Sequence, residues 1–247
     1  MINFFRKIRK KMADDNPPDE RAGKPIKYMR YAIGEILLVV IGILIALQIN
    51  NWNENRKTEL KSQVYINEIV NDLMVDTLNI NTLINRGNTY KVGLMNYFSY
   101  FNQGNVPIEK LIDSSKNVSV SFLRYIPVNH TFLDMQSSGN TNLLNNSQHN
   151  ALIELSSDHE QLQIIIEKVI SSAINERDER NKYFGYPDDF FDKLGKTASE
   201  DDKLQWLIHQ HLSFNSIIQL YDYIERRGKR IKEKTKKTIL ILKENDT

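Results

Sequence analysis

Cysteine is absent from the 247 residues of the chain. Disulfide bonds, thiolate metal sites and a cysteine nucleophile are therefore excluded. Glycine and proline are scarce, at 10 and 6 residues, and they are scattered along the sequence. Because helix-forming and polar residues dominate instead, the composition argues against an all-β fold and predicts a mainly α protein.

Catalytic and cofactor motifs are missing as well. The sequence contains no H-E-x-x-H, Walker A, G-x-S-x-G, Rossmann or EF-hand pattern. His209 and His211 are two residues apart, which on a helix places them on different faces and makes them poor joint metal ligands. The acidic pairs at 188–189 and 201–202 suit helix starts better than cation sites. We therefore expect a protein that is not an enzyme and has no catalytic, cofactor-binding or metal-binding residues.

The net charge of +2 hides a strong segregation of charge along the chain. Residues 1–30 carry nine basic and four acidic side chains. Residues 50–225 carry fifteen basic and twenty-three acidic ones, a net charge of −8. Residues 226–247 return to nine basic against three acidic. A basic tail, an acidic body and a basic end thus follow one another.

One long hydrophobic stretch, residues 31–52, reads YAIGEILLVVIGILIALQINNW. Residues 36–47 are twelve consecutive apolar or glycine residues. The wider span 33–49 is interrupted only by Glu35 and Gln48, close to its ends. At about 1.5 Å per residue it makes a helix of roughly 26 Å, at the short edge of what crosses the hydrocarbon core of a bilayer. The stretch predicts a transmembrane helix at 31–52.

The distribution of basic residues around this span predicts its orientation. Nine basic residues precede it, and only Arg56, Lys57 and Lys61 follow it closely. By the positive-inside rule the N-terminus is cytoplasmic. The long basic region, the long apolar core and the lack of a cleavage pattern in ALQINNWNEN indicate an uncleaved signal anchor. Three aromatic residues bracket the span as interfacial anchors: Tyr28, Tyr31 and Trp52.

These patterns divide the chain into three parts. Residues 1–30 form a cytoplasmic basic tail, 31–52 the signal-anchor helix, and 53–247 an extracytoplasmic domain. In a bacterium this corresponds to a single-pass protein of the inner membrane with a periplasmic domain. The lipid bilayer is then its first predicted partner.

Small residues on one face of the span favour packing against another helix. Residues spaced four apart share this face: Gly34, Leu38, Gly42, Ala46 and Asn50. Gly42 and Ala46 form a small-x-x-x-small pair that permits close approach, and Glu35 and Gln48 are candidates for interhelical hydrogen bonds. Small residues are common in membrane helices and polar ends snorkel, so self-association and plain anchoring both remain open.

The run YAIGEILLVVIGILIALQINNWNENRK closely resembles the signature of small single-pass membrane proteins from Bacteroidetes-type bacteria, the family catalogued as domain of unknown function 6090. The later stretch TFLDMQSSGNTNLL, at 131–144, resembles the second block of that family, F-x-x-L-x-S-G. Here Met135 stands where leucine is expected, and polar residues follow the glycine. The resemblance implies inner-membrane anchoring and a helical periplasmic domain, and it implies no activity, cofactor or catalytic residue.

Helical periodicity dominates the rest of the chain. Apolar residues recur at three- and four-residue steps over 60–101 and about 147–182. A further segment at 199–224, with a possible bend at 213–215, precedes a last helix. The first of these continues from the membrane span without a helix breaker, and further along Gly87 and Asn88 either break it or merely loosen it. The pattern predicts a long-helix, four-helix-bundle-like domain.

Some local features are also predicted. Residues 118–127 (VSVSFLRYIP) are strand-like but have no evident partner strand. Thr131 is a plausible N-cap of a short helix that Gly139 terminates at the C′ position. Ser199 starts a helix with acidic residues in its first turn. Four apolar residues after it are expected to face inward: Leu204, Leu207, Ile208 and Leu212.

The basic run at 226–237 has three interpretations. It is a solvated helix end, a contact with lipid headgroups, or a nucleic-acid-binding segment. The third is disfavoured, because the inferred compartment lacks nucleic acid and no aromatic residues interleave the charges. We therefore expect no nucleic-acid partner.

Two classes of function remain. The first is a membrane-anchored interaction or scaffold protein that binds a second copy or another envelope protein. The second is a ligand-sensing periplasmic bundle that signals through a partner protein. In the second, aromatic residues line a pocket between helices: Tyr90, Tyr97, Phe98, Phe101, Trp206, Tyr221 and Tyr223. The same positions suit a packed core, so both classes stay open.

Overall fold

The computed structural model describes residues 24–183 and 198–244, and within 24–31 it describes only the side chain of Met29. The described residues form five α-helices and no strand. These are α1 (Lys24–Phe101), α2 (Ile108–Lys116), α3 (His130–Ser137), α4 (Asn146–Arg180) and α5 (Glu200–Lys243), with a 3-10 turn at Asn140–Leu143. The mainly α prediction is confirmed. The basic tail up to residue 23 and the acidic pair at 188–189 lie outside the described residues.

Helix α1 is helical throughout its 78 residues, as the lack of a breaker after the span predicted. The chain divides into two compact units, Met1–Lys57 and Thr58–Thr247. In the first unit the described apolar side chains are mostly exposed, for example Leu37 and Leu44. The second unit contains the hydrophobic core.

The core of the second unit is built from three long helical stretches. The side of α1 that carries Ile69, Ile80 and Leu94 packs with α4 and α5. The α4 face follows the predicted periodicity, with Leu155, Leu162, Ile166 and Ala173 almost fully buried. A smaller cluster joins α2 to the start of α5: Leu111, Ile112, Trp206 and Leu207. Steps of three and four residues thus generate the packed faces, as expected for amphipathic helices.

The expected bend at 213–215 is wrong, because α5 is one helix from Glu200 to Lys243. Ser213 and Phe214 are buried in its inner face, and the Ser213 hydroxyl donates to the carbonyl of Ala173 at 3.4 Å. The last two predicted segments are therefore a single long helix. Of the four apolar residues expected to face inward, only Leu207 is buried. The prediction is wrong for the other three, which are exposed: Leu204, Ile208 and Leu212.

Capping residues set the helix starts. Asn145 and Gln148 form a reciprocal capping box at α4, and Ser199 and Asp202 form another at α5. The start predicted at Ser199 is thereby confirmed. Gly139 is also confirmed as a left-handed residue after α3, with φ of 72°.

The N-cap predicted at Thr131 is wrong. Helix α3 begins one residue earlier, at His130, with Asn129 at the cap position. The backbone N–H of Thr131 donates instead to the Asp72 carboxylate of α1 at 2.9 Å. A carboxylate from another helix thus satisfies an N–H that lacks an intrahelical partner.

Residues 118–129, called the extended segment below, form neither a helix nor a strand, and they join no sheet among the described residues. Two phenols hold this extended segment in place. The Tyr221 hydroxyl donates to the carbonyl of Ser121 at 2.8 Å and accepts from its N–H at 3.2 Å. Tyr125, from the segment itself, reaches Asp76 on α1. Side chains of the helices therefore replace the missing partner strand.

At Gly228, α5 approaches α1 closely. A Cβ at this position meets Ile80 Cγ2 and Ile84 Cδ1 at 2.9 Å, too close for either carbon to stay in place. We predict that Gly228→Ala lowers the stability of the full-length protein by up to about 2 kcal/mol, because an overpacking cost of about 1–3 kcal/mol outweighs a gain of about 1 kcal/mol in helix propensity. Thermal unfolding in detergent, followed by circular dichroism, measures the effect.

Gly93→Ala is the matched control, because its Cβ meets only Val118 Cγ1 at an ordinary 3.7 Å. This substitution is expected to leave the Tm unchanged or raise it. A Gly228→Ala protein as stable as the Gly93→Ala protein contradicts the close packing of α1 and α5.

Candidate functional site

The predicted packing residues of the apolar stretch lie on an open helix surface. One helix, within Ala32–Phe101, is long and apolar enough to cross a membrane, and none of its apolar window is buried. A Cβ added at Gly34 or Gly42 meets no heavy atom within 4 Å. Glu35, Ala46 and Gln48 are exposed as well. The stretch is compatible with a single-pass membrane anchor.

The interfacial anchors are only partly described. Trp52 is 64% exposed, and the Arg56 guanidinium lies 5.9 Å from the centre of its ring in a cation–π arrangement. The side chains of Tyr28 and Tyr31 lie outside the described ones. An amphipathic indole beside a cation is typical of a membrane–water boundary.

A buried polar cluster joins α1, the extended segment and α4. Asp76, Tyr125 and His159 are each no more than 4% exposed. The Tyr125 hydroxyl lies 2.9 and 3.0 Å from the two Asp76 oxygens, and the N–H of Val128 donates to the same carboxylate at 3.0 Å. His159 Nε2 lies 3.5 Å from Asp76 Oδ2. The carboxylate therefore ties three parts of the fold together.

Burial controls protonation in this cluster. It raises the pKa of Asp76 above its usual value, an effect that His159 and the two hydrogen-bond donors oppose. Burial also lowers the pKa of His159, and the interaction with Asp76 opposes this shift. Burial also raises the pKa of Tyr125, so this phenol stays protonated and can donate. Both members of the Asp76–His159 pair are thus biased towards their uncharged forms.

A second polar network lies beside this cluster, between α4 and α5. Arg227 donates to Asp158 Oδ1 at 2.6 Å and to Gln161 at 2.7 Å. Lys234 reaches the other Asp158 oxygen at 3.0 Å and Glu154 at 3.2 Å. Two basic residues of the run at 226–237 therefore bind acidic residues of α4 in their own chain.

The cavity next to the buried cluster is too small for a substrate. It measures about 20 Å³ and is lined by residues of α1, α3 and α4, among them Leu73, Phe132 and Leu155. A single water molecule needs roughly 10–15 Å³ and two to four polar partners. Because the walls are almost wholly apolar, the arrangement is that of a packing gap. The Asp76 cluster thus connects α1, the extended segment and α4.

The aromatic residues proposed to line a ligand pocket mostly contact one another. Tyr97 is 1% exposed and packs edge-on against Phe214 at 5.1 Å between ring centres. Tyr90 stacks on Tyr221 at 6.4 Å. Trp206 packs under the Arg180 guanidinium at 5.3 Å. These contacts are those of a hydrophobic core.

An open groove of about 600 Å³ runs between α4 and α5. Its charged lining residues are Lys168, Asp222 and Arg226. Of the aromatic set it includes only Tyr223. Within the described residues, no group of three or more potential metal ligands comes together.

The Asp76 cluster was not recognised in the sequence, where Asp76 and Thr77 only interrupted the apolar face of α1. The position of Asp76 on the helix was the signal in the sequence that could have revealed the cluster. A carboxylate in register with Leu73 and Ile80 is buried, and a buried carboxylate needs hydrogen-bond donors. Its donors come from residues 49 and 52 positions away along the chain, which periodicity does not reveal.

Comparison with known proteins identifies one family. A family model described as a family of unknown function (DUF6090) matches residues 35–185. The match begins in the apolar stretch and ends beyond α4, so it includes the first block of the resemblance from Glu35 onwards and all of the second block. Neither the curated proteins nor the solved structures yield a match.

The Asp76 cluster generates a stability prediction. Tyr125→Phe removes the phenol donor and leaves a buried carboxyl with fewer hydrogen bonds. We expect a loss of about 1–3 kcal/mol, the cost of leaving a buried polar group without a hydrogen-bond partner. Tyr100→Phe, at a half-buried tyrosine away from the cluster, is the control. Equal Tm values for the two full-length variants in detergent contradict the assigned role of Tyr125.

The lowered pKa of His159 predicts a pH dependence. Below the ordinary value of 6.5 the folded chain binds fewer protons at this site than the unfolded chain, so this contribution to stability is present above pH 6.5 and is lost on acidification. Asp76 acts in the opposite direction, because its raised pKa makes its contribution decline as pH rises above 3.8.

A matched substitution isolates the histidine. Between pH 7 and pH 5 the wild type should lose stability relative to His159→Gln. The exposed His130→Gln protein should follow the wild type. Parallel stability curves for the wild type and His159→Gln across this range contradict the prediction.

Proposed function

Since the chain belongs to the DUF6090 family of unknown function, we propose that it is a membrane-anchored helical interaction protein, a scaffold of the bacterial envelope. One observation carries the proposal: an apolar stretch with no buried residue and a folded helical unit share a single helix, α1. An exposed apolar surface of this length needs an apolar environment, and a bilayer supplies one.

The hydrophobic residues at 36–47 favour insertion of the stretch into a membrane. Ten of the residues at 36–47 are isoleucine, leucine or valine. Each contributes roughly −0.3 to −0.6 kcal/mol to membrane insertion at the centre of a helix, so together they contribute about −3 to −6 kcal/mol. The excess of basic residues before the stretch supports a cytoplasmic N-terminus and a periplasmic second unit.

The buried titratable groups support interaction over catalysis. Asp76 and His159 hold the extended segment against the helices, and Asp158 binds Arg227 and Lys234. His209 Nδ1 lies 2.8 Å from the Glu176 carboxylate in a pair between α5 and α4. These groups are engaged in joining one part of the fold to another. We propose that the domain acts through its surface.

The alternative, a ligand-sensing bundle, has one supporting observation. The groove between α4 and α5 brings Lys168, Asp222 and Arg226 together beside Tyr223. It is open to solvent, and most of the aromatic residues proposed for a pocket lie elsewhere in the core. A sensing role rests on this groove alone.

The absence of native cysteine makes the topology directly testable. We predict that Lys237→Cys, at an exposed position of α5, reacts with a membrane-impermeant maleimide in intact spheroplasts. Lys7→Cys, in the basic tail, should react only after lysis. The wild type, with no thiol, is the blank. Labelling of Lys7→Cys but not Lys237→Cys in intact spheroplasts overturns the orientation, and recovery of the protein in the soluble fraction overturns the anchor.

A further inference from the structure

The side of α1 that faces away from the core carries six large apolar side chains. Their exposed fractions lie between 53% and 64%. They are Leu60, Val64, Met74, Leu78, Val92 and Met95. In residues 58–101, all of which are described, Val75 is the one other large apolar residue of α1 with comparable exposure. Isolated exposed apolar residues are normal, but these lie along a single line.

That line follows alternating steps of four and three residues from position 60 to position 99. The remaining places on it are also uncharged: Asn67, Asn71, Asn81, Asn85, Asn88 and Ser99. All are exposed except Asn81, which is half-buried. We call these twelve residues the outer stripe. Steps of four and three over more than five heptads are the a and d pattern of a coiled coil.

The absence of charge separates the outer stripe from an ordinary solvent-facing surface. Residues 60–99 contain six charged side chains, and all six lie off the stripe: Lys61, Glu68, Asp72, Asp76, Arg86 and Lys91. The exposed side of α5, by contrast, carries Arg230, Glu233 and Lys237. A helix face meant for water is normally charged, whereas a face meant for another helix is not.

We propose that the outer stripe pairs with the outer stripe of a second copy of this chain, in a parallel, in-register, two-stranded coiled coil. The parallel orientation rests on the proposed function, since two chains anchored in one membrane by the same signal anchor run in the same direction. The core face of α1 stays within its own chain.

The asparagines favour a second copy over an unrelated helix. In register, each asparagine lies opposite its own counterpart, and two amides can satisfy each other across the seam. Asn81 is the exception, because its side-chain oxygen accepts from Lys232 of α5 in its own chain. A shift of one heptad places Asn71 against Leu78 and Asn85 against Val92, and it repeats this mismatch at nearly every position. Buried asparagine opposite an apolar residue loses its hydrogen bonds. An identical chain at zero shift is the partner whose pattern matches throughout.

The dimensions suit a dimer held together at a membrane. The outer stripe is about 60 Å long at 1.5 Å per residue, and a helix is about 10 Å wide, which gives roughly 600 Å² per copy. The total of about 1,200 Å² reaches the lower end of stable protein interfaces. Confinement of both copies to one bilayer raises their effective concentration and favours such an interface.

Flanking charges are directed away from the seam. Lys61 Nζ donates to Asn140 at 2.7 Å, and Lys91 pairs with Asp222 of α5. Both lysines therefore bind their own chain. Counted back along the sequence in the same steps, the register meets Lys57 and Asn53, and then Asn50 and Ala46, two residues of the face predicted for helix packing in the membrane span.

Disulfide crosslinking in native membranes tests the pairing, because the wild type contributes no thiol. Leu78→Cys and Asn85→Cys lie on the outer stripe, and their exposed neighbours Asn79→Cys and Arg86→Cys lie off it. In a parallel in-register pair the stripe positions meet across the seam, within disulfide reach, and the neighbours do not. With copper phenanthroline as oxidant, we expect a dimer at 78 and 85 and a monomer at 79 and 86.

Three outcomes overturn the proposal. They are equal crosslinking at all four positions, no crosslinking at 78 and 85, and a product at these positions with the mass of a different partner. Each sample is also fractionated into membrane and soluble parts. Failure to crosslink in a membrane-bound protein overturns the dimer alone, while stripe-specific crosslinking of a soluble protein overturns the anchor alone.

A charge placed in the seam gives an independent test. Leu78→Lys should abolish the dimer measured by analytical ultracentrifugation in detergent, and Asn79→Lys, with the same charge one residue away, should retain it. Because Leu78 is 64% exposed, both variants should keep the wild-type Tm at concentrations where the wild type is monomeric. A Leu78→Lys dimer as stable as the Asn79→Lys dimer overturns the proposal.

Discussion

Close packing of one face of α1 against α4 and α5 is the interaction on which the second unit depends. At Gly228 the two helices are so close that a Cβ on α5 has no room beside Ile80 and Ile84 of α1. Because this face is committed to the core, the opposite face of the same helix is left at the surface. That opposite face is uncharged along its outer stripe, and the proposed pairing with a second copy follows from it.

Polar contacts add specificity to this packing. The carboxylate of Asp76 is taken out of water among apolar helices, which is favourable only if donors surround it. Tyr125 and the N–H of Val128 supply them, and in doing so they hold a segment that has no partner strand. The Asp158 network joins α4 to α5 in the same way. Both buried carboxylates, Asp76 and Asp158, thus join separate parts of the fold.

Periodicity in the sequence predicted the helical class, the continuity of α1 and the starts of α4 and α5, because these depend on local spacing and capping. It did not predict that α5 is unbroken, since the contact of Ser213 with Ala173 of α4 is a long-range one. It misplaced Leu204, Ile208 and Leu212 for the same reason, as the register of α5 is set by the core further along. The donors of Asp76 were missed because they are distant in sequence. Long-range contacts decide all three cases.

One face of α1 packs within its own chain, and we propose that the opposite face packs against an identical chain. Double electron–electron resonance on the full-length protein in nanodiscs tests this most directly, with one spin label per chain at Val64→Cys, Leu78→Cys or Val92→Cys. We predict the same short distance between the two spin labels of a dimer at all three positions, because these positions are equivalent and two heptads apart. Distances that differ systematically along the helix, or no dipolar coupling between chains, contradict it.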